Sequence, residues 1–248
     1  MTVQIDSLWP VPADDLDDDA LTAGFVRADR GDPWLRVNFV SSVDGAATHD
    51  GLSGGLGGEA DKRVFDVLRR LCDVVLVGAG TVRSEGYGAM RLDEPAVRWR
   101  VAEGLPPHPV FAIVSGRLDL DPASNIFTEA PVRPIVVTTG RSPQPRRDAL
   151  SAVADVLVCG DDSLDTTAMV AALSDRGLAQ VHCEGGPSLF GSLLATDAVD
   201  ELCLTLSPRL EAGDARRIAS GALPGPRGLS LARVLRSAGT LMLGYTRA

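Results

Sequence analysis

The 248 residues are 45% hydrophobic and 23% charged, enough for a sizeable core in one large domain or two small ones. The net charge of −9 excludes an ordinary nucleic-acid binder. No apolar run is long enough to span a bilayer, and Met1–Asp6 has none of the basic and apolar regions of a signal peptide. Four scattered cysteines, Cys72, Cys159, Cys183 and Cys203, lie in or beside apolar runs and read as buried thiols of a reducing cytoplasm. Lys62 is the only lysine, which leaves little scope for Schiff-base or P-loop chemistry.

Residues 1–30 carry Asp14, Asp15, Asp17, Asp18 and Asp19 and read as a solvated acidic arm ahead of one domain over 31–248. Trp34–Val43 alternates like a strand and ends in Ser42-Val43-Asp44-Gly45, where Asp44 suits bonding to turn amides. Residues 48–58 form a glycine-rich loop. Glu59–Leu71 is a helix with Val64, Phe65, Leu68 and Leu71 on one face. The strand from Val74 runs into Gly78-Ala79-Gly80-Thr81, followed by an irregular stretch from Ser84 to Pro109. Strands at Val110–Val114 and Ile135–Thr139 end in Ser115-Gly116-Arg117 and Thr138-Thr139-Gly140-Arg141. A strand at Val153–Val158, a helix at Thr166–Leu178 and a strand at Ala179–Cys183 lead to Glu184-Gly185-Gly186-Pro187-Ser188-Leu189. A helix through Leu194 follows, then a strand over Asp200–Pro208 and a terminal hairpin, Ala232–Arg236 with Leu241–Thr246. This alternation predicts an α/β fold with a mostly parallel sheet and an antiparallel C-terminal edge. An exposed edge invites pairing with a second copy, so a homodimer is expected.

Two glycine elbows at strand ends point to one extended, phosphate-bearing ligand across the sheet edge. At the second, two glycines allow close backbone approach, Pro187 suits a first helical turn, and Glu184 sets a carboxylate beside the anion site. The first lacks the dinucleotide fingerprint Gly-x-Gly-x-x-Gly, because Arg83 stands at the third glycine. Arg117 and Arg141, with Ser115, Thr138 and Thr139, suit the 2′-phosphate of NADPH. Ordinary surface turns would place arginines there equally well, and the sequence leaves both readings open. His49, His108 and His182 have no partner pattern for a Ser-His-Asp site.

Taken together, Ser42-Val-Asp-Gly45, Gly80-Thr81-Val82, Glu184-Gly-Gly-Pro187, Val199-Asp-Glu-Leu202 and Pro208 resemble the reductase domain of riboflavin biosynthesis. The likeness runs from about Trp34 to the C-terminus and is strongest to stand-alone actinobacterial members. It implies a dihydrofolate-reductase-like fold and NADPH-dependent reduction of 5-amino-6-(5-phosphoribosylamino)uracil to its ribitylamino product. It also implies cofactor contacts from Val40, Gly78, Gly80, Thr81 and the turn Gly185, Gly186, Pro187, Ser188, Leu189. Substrate contacts would come from Ser53, Arg69, Arg91 and Glu184, the arginines as phosphate forks and Glu184 as acceptor for pyrimidine N–H groups. Glu85 is the candidate proton donor and, with Glu184, the candidate catalytic pair. The chain departs from the family at Glu85-Gly86-Tyr87, where an aspartate pair and a proline are usual. It departs again at Asn38 for a lysine and near Gly55 for a tryptophan. A dihydrofolate or other pteridine reductase, or a non-catalytic nucleotide-binding module, stays open. The zinc-deaminase signature needs a Pro-Cys-x-x-Cys that the chain lacks, so a reductase without metal is expected.

Overall fold

The computed structural model describes residues 3–248. A ten-stranded sheet has the order β1-β9-β10-β8-β2-β7-β3-β4-β5-β6. From β8 (Glu201–Ser207) through β2 (Trp34–Ser42), β7 (Gln180–Cys183), β3 (Val74–Gly78), β4 (Val110–Val114) and β5 (Ile135–Thr138) to β6 (Asp155–Val158), every pairing is parallel. The central strands are apolar runs because both faces are covered. Val74 and Leu76 point to one face, against Met169 and Leu173 of α7 (Thr166–Ser174) and Leu193 of α8 (Pro187–Ala195). Val75 and Val77 point to the other, against Val82 of α3 (Ala79–Ser84) and Leu150 of α6 (Gln144–Ser151).

The remaining pairings are antiparallel, β1 (Asp6–Trp9) on β9 (Leu229–Ser237), β9 on β10 (Thr240–Arg247), and β10 on β8. The C-terminal hairpin therefore lies inside the sheet and is not its edge. The edge there is β1, from the segment read as a solvated arm. That reading holds for the aspartates of the acidic run, which are exposed, but not for the segment. Ile5, Leu21 of α1 (Asp18–Ala23) and Phe25 are buried against Val64, Leu68 and Leu71 of α2 (Glu59–Leu71). Three apolar residues spaced among many acids set no periodicity, yet each fills the core.

Helix α2 has the predicted bounds, and Val64, Leu68 and Leu71 are buried on one face as expected. Phe65 departs, being half-buried and facing outward from that row. The stretch read as irregular holds α4 (Glu94–Ala102), started by the Asp93 carboxylate, which accepts from Ala96 N at 2.8 Å, with Pro95 in the first turn. The four cysteines are buried free thiols.

Candidate active site

Strands β3 and β7 are parallel neighbours, so the two glycine elbows that follow them emerge side by side. Gly78 N donates to Gly185 O at 2.8 Å. A Cβ on Gly186 would lie 2.5 Å from Thr81 Oγ1, and one on Gly185, at φ +96°, would lie 3.0 Å from the Phe39 ring. Helices α3 and α8 start from Gly78 and Gly186, neither of which supplies a side-chain cap, so first-turn amides of both point outward from the elbows. They open on a cleft of about 1400 Å³. Gly78, Gly80, Thr81, Gly186, Pro187, Ser188 and Leu189 line it, with Val40 at the end of β2.

On the opposite wall, α2 presents Asp61, Phe65 and Arg69, spaced four residues apart along one ridge. Arg69 Nε and an η nitrogen donate to the two oxygens of Glu184 at 2.6 and 2.8 Å, and the Tyr87 hydroxyl donates to Glu184 Oε2 at 2.8 Å. The Arg69 guanidinium also lies 4.3 Å from the Phe65 ring centre. The Glu184 side chain is 1% exposed. Burial, the strongest single influence, would raise its pKa, but the Arg69 charge and hydrogen bond, with His182 and Tyr87, together hold the carboxyl below the usual range. Burial works against the Arg69 charge too, and Glu184 more than restores it. Burial, then the Glu184 charge, push the Tyr87 phenol up, so it stays a neutral donor. His182 Nε2 is 3.5 Å from Glu184 Oε1, yet neither ring nitrogen has a hydrogen-bond partner. Burial pulls His182 down to about 4 against the opposing pull of Glu184.

Glu184 and Arg69 thus meet each other, where the sequence reading gave them separate ligand groups. Tyr87, seen in sequence only as a departure, completes their network. Glu85 lines the cleft and accepts from Ser53 N at 2.9 Å, which ties it to the glycine-rich loop. Asp61 was missed. Burial raises its pKa against a hydrogen bond from Thr205, and it has no ion-pair partner among the described residues. Its signal was available in the Asp61-Phe65-Arg69 ridge, opposite the apolar row of α2.

Other expected residues do not reach the cleft. Arg91 turns outward and donates to Glu129 O at 2.7 Å. Arg141 pairs at the surface with Asp162, and Arg117 is exposed beyond the lining. Ser115, Thr138 and Thr139 follow neighbouring parallel strands at the same sheet edge but are buried, Thr138 Oγ1 donating to Ser115 O at 2.8 Å. Gly185 lies beneath the lining, held by Gly78. Asp44 is structural, as expected, but it reaches across the fold. It accepts from Ala212 N at 2.7 Å and from Glu211 N, tying the turn after β2 to the β8–β9 connection.

Residues 33–238 match the family described as RibD C-terminal domain. The chain belongs to the RibD C-terminal domain family. Among relatives of this RibD-type chain is the 2,5-diamino-6-ribosylamino-4(3H)-pyrimidinone 5′-phosphate reductase of Archaeoglobus fulgidus. The two are 26% identical over 177 residues, covering 71% of this chain and 80% of that one. The riboflavin biosynthesis protein RibD of Bacillus amyloliquefaciens is 27% identical over 185 residues, 74% of this chain but 47% of that protein. Among solved structures, a pyrimidine reductase-like protein from Corynebacterium diphtheriae superposes with a TM-score of 0.85 at 25% identity, covering 94% and 99% of the two chains. The architecture is the dihydrofolate-reductase-like α/β fold expected from sequence.

Proposed function

We propose that this RibD-family chain is an oxidoreductase that uses NADPH to reduce the ribosylamino group of a 5′-phosphoribosylaminopyrimidine, giving the ribitylamino product of riboflavin biosynthesis. The convergence of both elbows on one cleft carries the reading. The donor set fits a dinucleotide. Two uncapped helix starts offer amides to a pyrophosphate, and Gly186 leaves no room for a side chain beside Thr81. Val40, Val114 and Leu189 give an apolar strip for flat rings. When bound, NADPH supplies the hydride.

The chain's own residues position and protonate. Glu184 fixes Arg69 and Tyr87 on the cleft wall, so it acts through them on the substrate side. Glu85 and Asp61 are among the cleft carboxyls that Arg69 does not neutralise. Asp61, raised by burial, is the better placed to hold a proton, and Glu85 is tied to the glycine-rich loop through one bond from Ser53 N. The pyrimidine ring is the uracil named above or the diaminopyrimidinone named for the archaeal relative.

Loss of NADPH absorbance with each ring form, and with dihydrofolate, tests the reading. Oxidation that requires the phosphoribosylaminopyrimidine supports it. Comparable turnover of dihydrofolate moves the assignment to pteridines, and tight NADPH binding without turnover of either supports a binding module. In the same assay Asp61→Asn and Glu85→Gln separate the proton donors, since the true donor loses kcat with NADPH affinity kept.

A homodimer belongs to this proposal. With the hairpin internal, its support is the exposed apolar set Leu229 and Leu231 on β9 with Leu8 and Trp9 on β1. Light scattering that finds a monomer at micromolar concentration contradicts it.

A further inference from the structure

The cleft is lined by five carboxylates, Glu59, Asp61, Glu85, Glu184 and Asp214, and by three cations, Lys62, Arg69 and Arg216. A phosphate entering this acidic cleft needs a cation whose charge is not already taken. Arg69 is spent on Glu184, and Lys62 Nζ donates to Asp66 at 2.8 Å. Arg91, the other arginine expected to take phosphate, is turned to the Glu129 carbonyl. The Arg216 side chain makes no ion pair or hydrogen bond among the described residues, and it lines the cleft.

Its backbone is held from both sides. Arg216 O accepts from Ala47 N at 2.7 Å, at the root of the glycine-rich loop. Four residues on, Ser220 N donates to Pro187 O at 3.0 Å, at the first residue of α8. Ser220 packs so closely there that a Cβ on Gly191 would lie 1.7 Å from its carbonyl oxygen. Farther back, Arg209 donates to Gly55 O at 2.9 Å, and Glu211 Oε2 meets His49 Nδ1 at 2.8 Å. The β8–β9 connection is therefore fastened across the cleft, from the glycine-rich loop to the start of α8, with Arg216 between.

We propose that Arg216 is the phosphate-recognising residue of the cleft and sets its preference for a phosphorylated sugar. The inference rests on the reductase reading for the identity of that sugar, but not for the presence of a phosphate. Its anchor on Ala47 places it on the Ser53 side, where the substrate's 5′-phosphate is the source. The pyrophosphate of the cofactor is the other source of the same chemistry, since the segment continues to α8. A guanidinium offers a planar fork that suits either.

Titration calorimetry of the full chain with ribose 5-phosphate and with NADPH reads phosphate binding without turnover. Arg216→Ala should weaken ribose 5-phosphate by roughly tenfold or more, the loss expected for a charge-assisted hydrogen bond, with NADPH unchanged. Arg216→Lys should recover part of the loss. Arg217→Ala, at an exposed neighbour that does not line the cleft, should change neither ligand. A loss confined to NADPH overturns the sugar preference and moves the phosphate contact to the cofactor. Unchanged binding of both probes in Arg216→Ala, equal losses in Arg217→Ala, or no binding of either probe by the unsubstituted chain overturns the proposal. Turnover of the phosphoribosylaminopyrimidine by the unsubstituted chain tests the reductase reading separately. If that turnover fails while Arg216→Ala still loses phosphate, the reading falls and the assignment of Arg216 stands.

Discussion

At the level of single residues, the site is organised around a buried carboxylate that the protein itself neutralises. Glu184→Gln removes the charge that balances Arg69 and leaves that buried guanidinium without its counterion. Breaking such a pair costs about 3–5 kcal/mol, so chemical denaturation should show a large loss. The kinetic effect should fall on kcat and on the pyrimidine KM, with NADPH affinity kept. Equal loss of NADPH binding contradicts the substrate-side placement. Tyr87→Phe removes one hydrogen bond to the same charged carboxylate and should cost about 1.5–3 kcal/mol. His182 gives a pH signature. Burial holds it neutral in the fold down to about 4, whereas an unfolded chain protonates it near the ordinary 6.5. The unfolded state therefore binds the extra proton first, and stability is lost as pH falls from 6.5 toward 4. His182→Phe, which keeps the ring beside Phe65, should flatten that part of the melting-temperature profile. An unchanged slope would assign the acid sensitivity elsewhere. The Glu184 and Tyr87 pairing was not legible in sequence, since the two lie 97 positions apart and meet only through the sheet order.

The decisive element is the pair of strand-to-helix turns after β3 and β7. Their sequence was readable because each combines an apolar run with glycines and a helix start, three local signals that agree. Their adjacency was not, since it depends on β7 inserting between β2 and β3. The close approach gives a direct test. Gly186→Ala sets a methyl group 2.5 Å from Thr81 Oγ1, so one elbow must move. NADPH affinity should fall by tenfold or more, about 1.4 kcal/mol, while the melting temperature falls little because the turn lies at the surface of the cleft. Retained affinity would detach the turn from the cofactor. Helix α2 was read correctly because its apolar row has helical period. Its functional row was overlooked because Asp61, Phe65 and Arg69 mix charge with an aromatic ring and stand out in no hydropathy pattern. Helix α4 escaped for a different reason. Its cap is clear in Asp93 and Pro95, but its alternation of charged and apolar residues buries little more than Ala96 and Arg100, whose guanidinium donates to the carbonyls of Pro106, Arg70 and Cys72.

Across the whole molecule, the N-terminal segment closes the sheet that the hairpin was expected to leave open. Deleting residues 1–25 removes β1, α1 and three buried apolar side chains, Ile5, Leu21 and Phe25. At about 1.5–3 kcal/mol each, their loss is a large part of a domain's usual margin of about 5–15 kcal/mol. The truncated chain should melt well below the full chain and associate through the exposed edge of β9. Equal melting temperatures would show that the segment is dispensable. The fold class was legible from alternating strands and helices. The placement of this segment was not, because a four-residue strand among acids leaves no periodic trace.

The most direct test of the central claim is a crystal structure of the chain soaked with NADPH. It should show the pyrophosphate against the amides of Gly80 and Thr81 and of Gly186 and Ser188, with the nicotinamide ring turned into the cleft toward Arg69 and Tyr87. A nucleotide bound elsewhere, or one touching a single elbow alone, would contradict the account.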